Sequence, residues 1–122
     1  MTFCRRMAAV ALLLALPLMQ LSAYGLYSWY GYEGKSYNYL KKRNESSRKR
    51  LMESYESMIS KQKGDRAVVP PGVYADYGWM LIQDGSKERG KEMLRKEMEL
   101  YPESSVFINR VLKRFEEDEK KN

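Results

Sequence analysis

Apolar residues recur at helical spacing in the second half of this chain. Leu51, Met52, Tyr55, Met58 and Ile59 line one face of a helix predicted over residues 45–63, with Asn44 placed to cap it. Tyr74, Tyr77, Gly78 and Leu81 share a face of a second helix, which opens at Pro70, Pro71 and Gly72 and closes at Asp84 and Gly85. A proline in the first helical turn loses no hydrogen bond, because the N–H it removes has no partner there. Gly90, Leu94 and Met98 share a face of a third helix, with Ser86 as its cap, Glu88 in its positively polarised first turn, and Pro102 just past its end at Tyr101. Ser104 starts a last helix striped by Phe107, Ile108, Val111, Leu112 and Phe115. Residues 116–122 are nearly all charged and are expected to fray.

The spacing within the paired helices at 69–101 resembles a tetratricopeptide repeat. That repeat asks for bulky residues at its fourth and seventh positions, glycine at the eighth, a small residue at the twentieth, an apolar one at the twenty-fourth and proline at the thirty-second. Taking Gly78 as the eighth places Tyr74, Tyr77, Gly90, Leu94 and Pro102 there in turn. Leu81 replaces the usual tyrosine and Glu97 a usual small residue. The expectation is an all-α fold: a tetratricopeptide-like helical hairpin, a preceding amphipathic helix, a C-terminal capping helix and an aromatic N-terminal arm. Its divisions are residues 1–23, 24–43 for the arm, 44–118 for the helical domain, and 119–122 for a frayed tail.

The leading segment has a different character. Arg5 and Arg6 precede an apolar run over residues 7–19, broken at Pro17 and followed by Leu21, Ser22 and Ala23. This is the pattern of an export signal, and its core is short for a bilayer-spanning helix. Cleavage after Ala23 leaves residues 24–122; retention makes the segment an inner-membrane anchor. The formal net charge of +6 falls to +4 without Arg5 and Arg6, because the leader contains no acid. The single cysteine, Cys4, lies in the leader, and histidine is absent. An exported chain would then carry no disulfide, thiol nucleophile or thiolate metal site, and no His-dependent triad or zinc site.

Tyr24, Tyr27, Trp29, Tyr30, Tyr32, Tyr37 and Tyr39 crowd the next stretch, which is too rich in glycine for a long helix and too irregular for a clean strand. These aromatics either wrap the helical domain and complete its core, or form a surface for a sugar or a protein partner. From Lys35 to Arg50 seven basic residues accompany one acid, Glu45. Such a run is a solvated surface or a contact for anionic lipid or glycan, with Lys41, Lys42 and Arg43 at its centre. Export argues against nucleic acid.

Without histidine or thiol, paired carboxylates are the simple enzymatic route left, and Glu33, Asp76 and Glu97 are the candidates. No phosphate-cradling glycine loop or calcium loop is present. Glu97 is predicted to face the helix-packing surface, where an ionised carboxylate needs a tyrosine hydroxyl or an arginine, unless the helix turns it to water. Met80, Met93 and Met98 read as adaptable core filler or as lining of a groove for a partner helix.

The segments LYSWYGYE, YNYL, VPPGVYADYG and KEMELYPES resemble a small bacterial outer-membrane lipoprotein family of unknown function, often encoded beside a curli-secretion-channel-like lipoprotein. The resemblance implies a periplasm-facing helical protein in envelope assembly or secretion, with no established activity. Members usually begin with a lipidated cysteine, whereas Tyr24 follows Ala23 here. The leading expectation is therefore a non-enzymatic envelope adaptor without a cofactor. Its partner would be another periplasmic or outer-membrane protein, contacted through Trp29, Tyr30, Tyr32, Tyr74, Tyr77, Trp79 and Leu81. The alternative is a glycan- or anionic-headgroup-binding module using Lys41, Lys42 and Arg43 with the arm; a carboxylate-dependent glycan hydrolase comes last.

Overall fold

The computed structural model describes residues 25–122, so the segment expected to be an export signal, Cys4 and Tyr24 lie outside the described residues. The described residues form five α-helices and no strand: α1 (Tyr32–Lys42), α2 (Glu45–Ser60), α3 (Val73–Gln83), α4 (Lys87–Leu100) and α5 (Ser105–Lys121). None of these helices is long and apolar enough to cross a membrane.

Helix α2 begins as its sequence dictates. The Asn44 side-chain oxygen accepts the Ser47 N–H at 2.8 Å, and the Ser47 hydroxyl donates back to the Asn44 carbonyl at 2.9 Å. Its buried residues, Ser47, Leu51, Ser54, Tyr55 and Met58, follow the helical period. The two prolines precede α3 rather than occupying its first turn. The chain enters the helix through Gly72 at φ 88°, a left-handed conformation that only glycine adopts at little cost.

Helices α3 and α4 form the expected hairpin, and the two glycines explain its tightness. A Cβ on Gly90 would stand 2.5 Å from both the Gly78 carbonyl oxygen and Ile82 Cγ1, and one on Gly78 would stand 2.6 Å from the Gly90 carbonyl oxygen. Gly85 at φ 90° turns the chain, and the Ser86 N–H reaches back to the Leu81 carbonyl at 2.9 Å. The two serines expected as caps do not cap. Ser86 makes no side-chain cap bond, and the Ser104 hydroxyl donates to the Tyr101 carbonyl at 2.7 Å, within a 3-10 turn over Pro102–Ser104 that brings the chain into α5.

The N-terminal arm differs most from expectation. Its second half is a helix, α1, which tolerates Gly34 because it is short and its stability comes from packing of Tyr32 and Tyr39 against the core rather than from propensity. The first half is pinned to the loop after α2. The Asp65 and Arg66 N–H groups donate to the carbonyls of Gly25 and Leu26, and Gly64 lies so close to Leu26 and Tyr27 that a Cβ has no room. Tyr30 donates its hydroxyl to the Lys61 carbonyl. A ladder of rings, Tyr27–Trp29–Tyr32–Tyr55–Tyr77, runs from this arm into the core with centroid spacings of 5.6–6.1 Å. Tyr30, Tyr32 and Tyr39 thus pack against the core, as the first of the two placements had it, whereas Trp29 and Tyr37 keep 44% and 63% of their surface exposed.

Two apolar clusters result. The larger, around Met58, Tyr55, Tyr77 and Met93, joins α2, α3 and α4; the smaller, Leu94, Ile108 and Leu112, seats α5 on α4. The tail expected to fray continues α5 to Lys121, where Glu119 pairs with the buried Lys91 at 2.9 Å.

Candidate functional site

The seven residues expected to contact a partner separate into buried and exposed sets. Tyr77 and Leu81 are core residues. The Tyr77 hydroxyl donates to Glu56 at 2.9 Å, the Arg89 guanidinium lies 5.7 Å from its ring, and burial pushes its phenol up to about 12. Tyr74 is half-buried, with Lys96 Nζ 5.9 Å from its ring centre. Tyr30 and Tyr32 are half-buried in the docked arm, where Trp29 keeps 44% of its surface exposed.

Trp79 remains, 46% exposed on the outer face of α3. Its ring is tilted against Phe115 of α5 at a centroid distance of 5.4 Å. Between the two helices run adjoining hollows of about 490 and 290 Å³, walled by Ala75, Trp79, Leu94, Phe107, Val111 and Phe115. Asp76 borders one hollow, and Arg114 and Asp118 border the other. Phe107 is 65% exposed. The expected list omitted Phe107, Val111 and Phe115, although the signal was present. Adjacent apolar pairs 107/108 and 111/112 point about 100° apart on a helix, so one packing contact cannot cover both members. Ile108 and Leu112 take the core and leave the others at the groove.

The three cations occupy the end of α1. Arg43, at φ 46°, terminates the helix by donating its N–H to the Tyr39 carbonyl, and Lys41 lies 6.0 Å from the Tyr37 ring centre. Cations in a last helical turn complement its negative end. Lys42 lines a cleft between α1 and α2.

Of the three candidate acids, Glu33 lies in the first turn of α1, Asp76 lies exposed in the first turn of α3, and Glu97 is buried beneath the same helix end. Glu97 is buried as expected, but its partner is neither a tyrosine nor an arginine. Its Oε1 accepts the Gly72 N–H at 2.7 Å, so α4 supplies the cap that Gly72, lacking a side chain, cannot give α3. Burial raises the Glu97 carboxyl above its ordinary range. The N–H groups of Gly72, Ala75 and Tyr74 oppose that rise, and Asp76 adds to it. Packing around its carboxyl also raises Asp76, although the residue as a whole is exposed, and Tyr55 opposes that rise. This arrangement holds a helix end. Among the described residues no group of Asp, Glu, His or Cys side chains is disposed to hold a metal ion.

A pH dependence follows. A carboxyl whose folded pKa lies above its unfolded one contributes stability that is fully present below the unfolded pKa and lost as pH rises through the folded value. The urea midpoint is therefore expected to rise as pH falls from neutral toward 4.5, the ordinary value for Glu97, and Glu97→Gln is expected to flatten that rise. Glu119, held down by Lys91, acts in the opposite sense, but only below the same ordinary value of 4.5. A midpoint that falls over this window would contradict the assignment.

A family model described as a domain of unknown function (DUF4810) matches residues 26–111. No curated protein and no solved structure matches the chain.

Proposed function

The chain belongs to the DUF4810 family, and on that footing we propose that it is an exported, non-enzymatic adaptor of the cell envelope that docks a helix of another envelope protein. The observation that carries this role is the groove between α3 and α5. Trp79, Phe107, Val111 and Phe115 expose aromatic and branched surface side by side in a chain that is 31% charged. A contiguous apolar hollow on so polar a surface is a docking feature.

Its occupant is an amphipathic helix. The groove runs between two helices, as a third helix laid along them requires, and it presents apolar walls along its length with charges at its ends. An incoming helix with apolar residues at i, i+3 or i+4, and i+7 would fill the hollows. A basic side chain at one end would meet Asp76, and an acid near the other would meet Arg114. The tetratricopeptide-like spacing of Tyr74, Tyr77, Gly78, Gly90 and Leu94 supports this role, because such repeats bind along the groove formed by the first helix of each pair. Here α5 stands where the next repeat would begin. The leader and the resemblance to envelope lipoproteins support the compartment. They also make a curli-secretion-channel-like lipoprotein the first partner to test, which would hold a chain lacking a lipidated cysteine at the outer membrane.

The test places a photo-crosslinking residue at position 107 of the full chain and maps the linked peptides from intact envelopes. The adaptor role expects one apolar-faced helical segment of another envelope protein, with linkage lost in Trp79→Ala. Removing an aromatic anchor typically weakens an interface by about 2 kcal/mol or more, roughly thirtyfold. Linkage only to copies of the same chain, or linkage indifferent to Trp79→Ala, overturns the role.

A further inference from the structure

We propose that the cleft between α1 and α2 binds a phosphate-bearing group through Lys35, Lys42 and Arg50. The cleft has a volume of about 420 Å³ and is lined by Lys35, Asn38 and Lys42 from α1, Asn44 from the joining turn, and Ser46 and Arg50 from α2. Small-molecule sites span roughly 300–1,000 Å³. Lys35, Asn38 and Lys42 recur at helical spacing along one flank of α1, and Ser46 and Arg50 lie one turn apart on α2, so the five converge from facing helix surfaces.

The charge balance of the cleft is its informative feature. It is lined by three cations and no acid, and among the described residues none of the three forms an ion pair. Five of the other 17 described cations do, Arg48, Lys87, Lys91, Lys96 and Lys113, so what sets the three apart is their convergence on one acid-free hollow rather than the missing pairs. Lys42 is explained by the helix end it occupies and Lys35 in part by its bond to the Tyr30 carbonyl, whereas among the described residues Arg50 has no side-chain hydrogen-bond or ion-pair partner. Lys35 lies within one turn of the positively polarised end of α1, where a cation is disfavoured, and Arg50 lies within α2. Like charges gathered at a concavity repel one another, and an anion between them removes that repulsion.

The remaining donors suit phosphate oxygens. Lys35 Nζ is steadied by the Tyr30 carbonyl at 3.0 Å and retains further N–H groups. The Asn44 oxygen is committed to the Ser47 N–H, which leaves its amide NH2 as donor, and Asn38 and Ser46 add an amide and a hydroxyl. A guanidinium and two ammonium groups around one tetrahedral anion give short, charge-assisted bonds. The volume exceeds what one phosphate fills and leaves room for the alcohol it esterifies, as in a glycerophosphate. Such an ester is presented either by a lipid headgroup or by a soluble metabolite. Gly34 lines the same cleft, and a Cβ there meets nothing within 4 Å, so the glycine leaves the hollow open.

The test uses the full, isotope-labelled chain with two probes: glycerol phosphate in solution, followed by amide shifts, and vesicles of phosphatidylglycerol against phosphatidylcholine, followed by co-sedimentation. The leading apolar run is common to every variant, so only differences between variants are read. Two variants are compared with the parent: Lys35→Gln with Arg50→Gln, which removes charge, and Gly34→Leu, which fills the cleft with no change of charge and a better helix former. Saturable binding that weakens more than about tenfold in both supports the site. Binding of glycerol phosphate assigns a soluble ester; binding confined to phosphatidylglycerol vesicles assigns a headgroup. Absence of saturable binding to both probes, or binding undiminished in Gly34→Leu, overturns the proposal, the latter because a diffuse surface attraction does not depend on the hollow.

Discussion

Gly90→Leu is expected to cost at least about 2 kcal/mol of stability. The Cβ alone would lie 2.5 Å from the Gly78 carbonyl oxygen and 2.5 Å from Ile82 Cγ1, and three further carbons would follow it into the crossing of α3 and α4. Overpacking a tight contact costs about 1–3 kcal/mol, and here the obstacle is backbone, which cannot rotate away. Leucine regains up to about 1 kcal/mol as a better helix former than glycine, which reduces the loss without cancelling it. In a domain of about a hundred residues each kcal/mol moves the melting temperature by roughly 4–8 °C, so a fall on the order of 10 °C is expected in a thermal melt followed by circular dichroism. A melt shifted by less than about 2 °C would mean that the two helices do not approach as described.

That crossing was legible because small residues at helical spacing on two predicted helices have one obvious use. Asn44 was legible from residues three positions apart, but the same local rule misplaced Ser86 and Ser104, whose side chains do not cap. The features that escaped depend on parts of the chain distant in sequence. Helix α1 has no fully buried residue, and its apolar contacts are Tyr32 and Tyr39 against a core assembled later in the chain, so its own pattern carried little signal. Glu97 was placed correctly on the packing face, but its partner is the Gly72 N–H, and no local rule reveals that the loop before α3 crosses that point of α4. The tail was judged by its charge; Lys91, buried on α4, gives Glu119 an ion-pair partner that charge composition does not reveal. The groove was half legible. Trp79 is legible as a contact residue, while Phe107, Val111 and Phe115 read as the last helix's apolar stripe, and the width of that stripe is the clue that it serves two surfaces.

Tyr77→Ala is expected to cost about 3–5 kcal/mol, the range for truncating a large buried aromatic. Tyr77 keeps 1% of its surface exposed, stands 6.1 Å from the Tyr55 ring, and has Arg89 5.7 Å from its own ring centre. Alanine would leave a hollow at the join of α2, α3 and α4, and domains of this size are stable by only about 5–15 kcal/mol in total. Tyr77→Phe separates the ring from its hydroxyl. It removes only the bond to Glu56, whose side chain reaches solvent, and is expected to cost about 1 kcal/mol. The pair matters for function because Tyr77 and Trp79, two positions apart, face opposite ways. Loss of partner linkage in Tyr77→Ala would accompany a lowered urea midpoint and report a damaged core. Loss in Trp79→Ala is expected with a much smaller fall in the midpoint, about 1 kcal/mol from the lost contact with Phe115, and then reports the groove itself. Equal midpoints for Tyr77→Ala and the parent chain would contradict the aromatic ladder, and with it the division of α3 into a core face and an exposed face at the groove.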